Sequence, residues 1–357
     1  MKYQGENIDQ MIAGGSGRLA VKDGMELNAA QFPLPIPLTS NADTTRLIPI
    51  SAAHGINPEQ ARPRGLVSHD ATHHPKAMQY RADARTRIVA HLWEHPTWIA
   101  SHFSAAALLG ITHFADSADA FVLTRNRLHL TEDFRLATQR QIRRPSPSWT
   151  LQLGEHSLLV TPPMLTLAHC LRATLGEEHS WHTPEGLPVS GPHVRAIQVI
   201  DRFRREFGLT ATDVAEGVRG LLNARRLQQL LELSDDGADS PPETLIRLIA
   251  RDCAPQYRWQ SQVPVYTDGT IGEPGTTDPD LRLLTILDLA AIAQRHYLYY
   301  DGEHHLERER RDQDSSITAQ LTSWGWTGVR ITAGILNEMD LLRSHIMALG
   351  PAHPAAA

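Results

Sequence analysis

Glu243, Asp288 and Asp301 are the residues of this chain whose types and positions best suit joint chemistry. Glu243 falls in the first turn of a predicted helix that opens on proline. Asp288 closes a predicted strand after an apolar run, and Asp301 ends the next predicted strand directly before Gly302. Neighbouring strands that end in carboxylates can bring their oxygens within a few Å of one another. A hard cation such as Mg²⁺ takes one or two such carboxylates, keeps several waters and completes its shell with substrate phosphate. The ion would polarise a phosphodiester and lower the pKa of a bound water. His304 and His305 follow closely and can move a proton or hold a phosphate oxygen.

Each group also has an ordinary structural role. A carboxylate in the first helical turn favours the dipole, so Glu243 can be a cap. Asp-Gly after a strand is a common turn, and paired histidines are often solvated. Asp288 is hardest to explain that way, because apolar residues surround it and a buried carboxylate needs a partner. The residues alone therefore reach an acidic metal site, with cap and turn left open for Glu243 and Asp301.

The elements that must position these groups can be read from periodicity and punctuation. From Ser240 the order is helix (PETLIRLIARD), strand (QSQVPVYTD), strand (Leu284 to Asp288), strand (HYLYYDG), helix (RDQDSSITAQLTSWG), strand (TGVRIT) and one final helix (AGILNEMDLLRSHIMAL). Upstream, residues 1–78 show no sustained period and are expected to be irregular. Residues 79–192 mix helices, at Ala82 and after the candidate N-cap Ser101, with short strands at Ala120–Thr124, Thr150–Leu153 and Ser157–Val160. A helix over Met164–Leu175 follows them. Residues 193–236 predict a helical connector, and the acidic, Pro/Gly-rich DDGADSPP loop predicts a domain boundary before residues 240–348. The expected class is a multidomain α+β and α/β chain.

The chain's 357 residues fit two or three domains at roughly 150 residues each. A formal charge of -6 argues against non-specific coating of nucleic acid, but leaves room for local basic patches. Lysine occurs at positions 2, 22 and 76 alone, so no lysine serves the second half. No long apolar run predicts a membrane span, and no signal-peptide core is seen. Two distant cysteines support neither a disulfide framework nor a zinc knuckle, and a cytoplasmic location is the default expectation.

The segment SPPETLIRL through QVPVY, LDLA, YLYYDGEHH, RDQDSSITAQLTSWGW and VRIT resembles an actinobacterial domain family related to very-short-patch-repair endonucleases, within the PD-(D/E)XK superfold. The resemblance spans about a hundred residues. Its most specific parts are the YDG-x-x-H element (Tyr300, Asp301, Gly302, His305) and the GW-x-x-x-R element (Gly325, Trp326, Arg330). It implies a restriction-endonuclease-like domain with a mixed sheet flanked by helices. It also implies metal ligation by Glu243, Asp288 and Asp301, and a catalytic role for His305. The chain departs from the family at Tyr299, where an acid is usual, and at Ile317, where an arginine is common. Loss of one carboxylate weakens metal affinity.

The middle region, SHFSAAALLGI with the strand at Phe121 and LLVTPPMLTLAHCLRA, resembles AbiEi-type antitoxin proteins, which usually carry an aspartate where His169 stands. Together these expectations describe a Mg²⁺-dependent DNA endonuclease-like protein. The alternative is a silent nuclease fold that binds DNA or acts as an antitoxin-like regulator of a toxin or other protein partner. Three other motifs carry less. IRRPSPSW reads as a solvated loop or a phosphate contact, and EHHLERERRDQD as an exposed ion-paired helix or a nucleic-acid contact. The histidines of HDATHHP lack a predicted element to fix their spacing.

Overall fold

The computed structural model describes residues 23–38, 47–125, 138–142, 145–301 and 308–350. His305 and His304 lie outside the described residues, as does Gly302. The described residues form a mixed α/β protein with 11 α-helices and three sheets, two of them mixed. None of the described helices is long and apolar enough to cross a membrane. The chain divides into two compact units, one within Met1–His182 and Glu206–Glu232, the other within Thr183–Arg205 and Leu233–Ala357. The helices expected as a separate connector at 193–236 are shared out between these units.

In the first unit, strands β1 (Ile36–Pro37), β2 (Ile48–Pro49) and β3 (His54–Ile56) form a small antiparallel sheet. Helix α1 (Arg64–His73) follows, where an irregular segment was expected. Its weak pattern explains the difference, because Val67 and Ala71 are its buried residues. Next come α2 (Ala84–Glu94), β4 (Ile99–Ala100), α3 (His102–Leu108), β5 (Phe121–Thr124), β6 (Thr138–Gln141), β7 (Trp149–Leu153), β8 (His156–Val160) and α4 (Pro163–Leu175). The strands make a mixed sheet in the order β6-β5-β4-β8-β7. Asp83 caps α2 by accepting from Thr86 N at 2.9 Å. Ser101 occupies the N-cap position of α3 but makes no side-chain cap; its hydroxyl is used elsewhere.

Helix α5 (Gly191–Phe207), α6 (Ala211–Gly217) and α7 (Ala224–Leu233) precede the acidic loop. Thr210 and Asp213 close a reciprocal capping box on α6.

The second unit carries α8 (Pro241–Cys253), β9 (Trp259–Tyr266), β10 (Leu283–Ala291), β11 (His296–Asp301), α9 (Arg308–Ser323) and β12 (Thr327–Thr332). The sheet order is β12-β11-β10-β9, antiparallel except for the parallel β11–β12 pair. The element order is the expected one until the end, where the single final helix is two, α10 (Ala333–Asn337) and α11 (Met339–Met347). Glu338, with ψ 78°, breaks them. Val263, Val265, Leu287, Tyr297, Leu321 and Trp326 form a buried cluster on this sheet. At Gly328 an added Cβ would stand 2.3 Å from the Tyr297 ring, so the strand tolerates only glycine there. Gly325, at φ 78°, ends α9 in the left-handed conformation.

Helix α8 buries Leu245, Ile246, Leu248 and Ile249 on its apolar stripe. Its other anchor is polar. Arg247 Nη2 meets Asp201 Oδ2 at 2.6 Å, with both side chains fully buried. Asp201 also accepts from Thr244 Oγ1 and Asp235 N, each at 2.8 Å. Removing one partner leaves an uncompensated buried charge. We expect Asp201→Ala to lower stability by about 3–5 kcal/mol, read from urea unfolding. A loss below about 1 kcal/mol would show that the pair is not an anchor.

Candidate functional site

The acidic centre forms where the sheet ladder of the second unit is interrupted. Strand β10 pairs with β9 at Leu287↔Val263 and Leu289↔Ser261, and the level between them, Asp288 and Gln262, is missing from the ladder. The β10–β11 pairing likewise reaches Leu289↔Leu298 and goes no further. Carrying that register one step on sets Asp288 level with Tyr299, and Tyr299 pairs with Arg330 on β12. Gln262, Asp288, Tyr299 and Arg330 thus make one row across all four strands. Gln262 holds a left-handed φ of 54°, which marks the same level as strained.

The side chain of Asp288 repairs one gap. Its Oδ2 accepts from Tyr300 N at 2.7 Å, replacing the missing ladder carbonyl. Among the described residues this is its one hydrogen-bond donor, so Oδ1 stays open. Glu243 reaches the same row from the first turn of α8. Its Oε2 accepts from Gln262 Nε2 at 3.0 Å and Asp239 N at 2.9 Å, and its Oε1 from Ser240 Oγ at 2.7 Å. Asp239 precedes the N-cap residue Ser240, so Glu243 ties the incoming loop to the first turn of α8 and also faces the sheet.

These two carboxylates feel one another. Burial first, and then the charge of Glu243, push Asp288 up to about 8. Tyr300 N–H and Arg330 oppose that rise. Glu243 is also raised, by burial. Asp288 is therefore largely protonated at neutral pH unless a cation arrives.

Asp301 sits differently. Antiparallel pairing puts it two residues beyond the level of Asp288, so the two aspartates do not share matching strand ends. Strand β10 also continues to Ala291, three residues past Asp288. Asp301 Oδ2 lies 3.6 Å from Arg330 Nη1. Arg330 in turn lies 5.6 Å over the Tyr299 ring. Tyr299 takes the place of the expected acid, and its hydroxyl is hydrogen-bonded to Thr285 Oγ1. Burial raises the Tyr299 phenol well above its ordinary range, so it stays neutral.

The structure thus sets Asp288 in the field of Glu243 and of Arg330, and pairs Arg330 with Asp301. Among the described residues, no three His, Cys, Asp or Glu side chains are grouped to hold a metal ion. The chain matches no protein-family model, no characterised protein and no solved structure. Gln262 was not derivable as a site residue from pattern, and Arg330 entered the sequence reading only as part of the GW-x-x-x-R element. Their signal is a polar side chain inside an otherwise apolar strand, which also suits an edge position.

The shared field has a pH consequence. Asp288 titrates at about 8 in the folded chain against an ordinary 3.8, so the folded state holds a proton that the unfolded state releases. Stability should fall as pH rises across that window. Urea unfolding at pH 5 and pH 8 should show this fall, and Asp288→Asn should reduce it. An undiminished fall in the variant would remove Asp288 as its source. Glu243→Gln should move the Asp288 titration downward in carboxyl-carbon NMR.

Proposed function

We propose that the second unit is a metal-dependent, endonuclease-like domain of the PD-(D/E)XK type acting on the phosphodiester of DNA. The observation that carries this reading is the pair formed by Asp288 and Glu243 at a break in the sheet, with Asp288 Oδ1 open. Like-charged carboxylates held together are costly, and a divalent cation relieves that cost. Mg²⁺ needs few protein oxygens, so two carboxylates fit it. Asp288 and Glu243 would hold the ion, which when bound supplies charge to a phosphate oxygen and acidifies a water. Arg330 is the cation on the same row and suits a phosphate contact. Asp301 would orient Arg330 through the 3.6 Å ion pair, and His305 remains the proposed proton carrier. The element order and the YDG-x-x-H and GW-x-x-x-R motifs support the same assignment.

A second reading, a silent nuclease fold serving as a DNA-binding or antitoxin-like regulator, is favoured by Tyr299. Its neutral, hydrogen-bonded phenol fills the position of an acid between Asp288 and Arg330.

Purified protein incubated with supercoiled plasmid and Mg²⁺ should nick it, and Asp288→Ala should not. Equal nicking by both proteins would refute the site, and none by either would favour the silent fold. Calorimetric titration adds a second test. Tyr299→Glu should tighten Mg²⁺ binding by about tenfold, roughly 1.4 kcal/mol.

A further inference from the structure

A cavity in the first unit carries a second set of chemical groups, unrelated to the acidic row. It has a volume of about 140 Å³ and is lined by His102, Phe103, Asp119, Phe121, Glu178 and His179, among others. At roughly 30 Å³ per water, it has room for four or five waters or one small organic molecule.

His102 is the unusual part of this wall. It follows Ser101 at the junction of β4 and α3, and its φ is 53°. A non-glycine residue in that conformation is uncommon, and such strain collects at functional sites. Its Nδ1 lies 3.0 Å from Ser101 Oγ, which lies 2.7 Å from His169 Nδ1. The two imidazoles stack at 4.8 Å with planes 16° apart. Ser101 and His102 are buried, while His169 is partly exposed. A proton path therefore runs from the cavity wall through a buried hydroxyl to a partly exposed imidazole.

Charge decides what this path can serve. Burial, helped at His102 by the neighbouring His169 and at both rings by Arg140 and Arg172, lowers His102 to about 2 and His169 to about 4, so both rings are neutral. A hydroxyl gives one hydrogen bond to one ring and receives one from the other. When the two relay protons shift toward His102 Nδ1, His102 releases its Nε2 proton to the cavity and His169 takes one up at Nε2, so that His102 Nε2 changes from donor to acceptor and each ring ends neutral. Among the described residues, the wall contains two carboxylates and no lysine or arginine. Asp119 is fixed in place by Tyr80 OH and by His74 Nε2, the latter at 2.9 Å. Phe103 and Phe121 add aromatic surface, which attracts cations.

We propose that this cavity is a binding site for a small organic cation, such as a primary ammonium, held by Asp119 and Glu178 and donating a hydrogen bond to His102. Ser101 and His169 position His102 as an acceptor. They are positioning residues for the ligand and do not touch it.

Calorimetric titration of the full chain with n-propylammonium and with propionate tests this. The ammonium should bind saturably and at least about tenfold more tightly than the carboxylate. Glu178→Gln changes an exposed side chain and should leave the fold intact. It should weaken ammonium binding by about twofold to fivefold. Ser101→Ala should weaken binding and also change the nitrogen chemical shifts of His102, which report its tautomer. Circular dichroism would verify that both variants are folded. No saturable ammonium binding, equal binding of propionate, or wild-type binding by Glu178→Gln would overturn the proposal.

Discussion

A buried charge pair fixes the position on which the second unit depends. Asp201 on α5 and Arg247 on α8 meet at 2.6 Å with no exposure to solvent. Such a pair repays its desolvation only when the remaining donors and acceptors are also matched. Here Thr244, Asp235 and the Leu233 carbonyl supply most of the rest, while Arg247 Nε is buried without a partner, so the pair specifies geometry more than it adds stability. Thr244 directly follows Glu243 and Arg247 lies one turn beyond it on the same helix. The geometry that satisfies Asp201 therefore also fixes the height and rotation at which Glu243 meets the sheet. An apolar contact could hold the helix as firmly, but it would define that rotation less narrowly.

The sheet answers with a defect in the matching place. A continuous ladder would use every backbone group at the level of Asp288 and would present an ordinary surface. The missing pairs on both sides of β10 leave backbone groups to be satisfied by side chains, and Asp288 satisfies Tyr300 N–H. Its carboxylate is thereby held in a definite orientation with one oxygen to spare. Structural repair and chemical readiness are the same contact here. Glu243 repeats the pattern, since its three donors both tie down the loop before α8 and turn the carboxylate toward Gln262.

Much of this was legible in the sequence. The helix and strand order after Ser240 follows from clear periodicity, proline at the start of α8 and glycine after α9. Asp288 stood out because apolar neighbours flank it. What sequence could not supply was pairing. An expectation of adjacent strand ends assumes strands running the same way, whereas β10 and β11 run oppositely and set Asp301 two residues past Asp288. The row itself was invisible, because Gln262, Tyr299 and Arg330 become neighbours only through register. Ser101 shows another limit. Its type and position announce a helix cap, yet its hydroxyl turns to His169, 68 residues away. Helix α1 was missed for a simpler reason, its narrow apolar face.

The row across β9, β10, β11 and β12 also bears on how this chain can change over generations. Side chains alternate faces along a strand, so inserting or deleting one residue in β10 would send the Asp288 position to the other face. Substitutions on the row trade one local contact for another, whereas length changes in any of the four strands dismantle all of its contacts together. Drift in this domain should therefore accumulate as altered residues on the row and as altered lengths in the connections. The long connection between Tyr266 and Leu283 is such an outlet only in part, because Gly275 N within it donates to the Gln262 carbonyl at 2.8 Å and so ties it to the row.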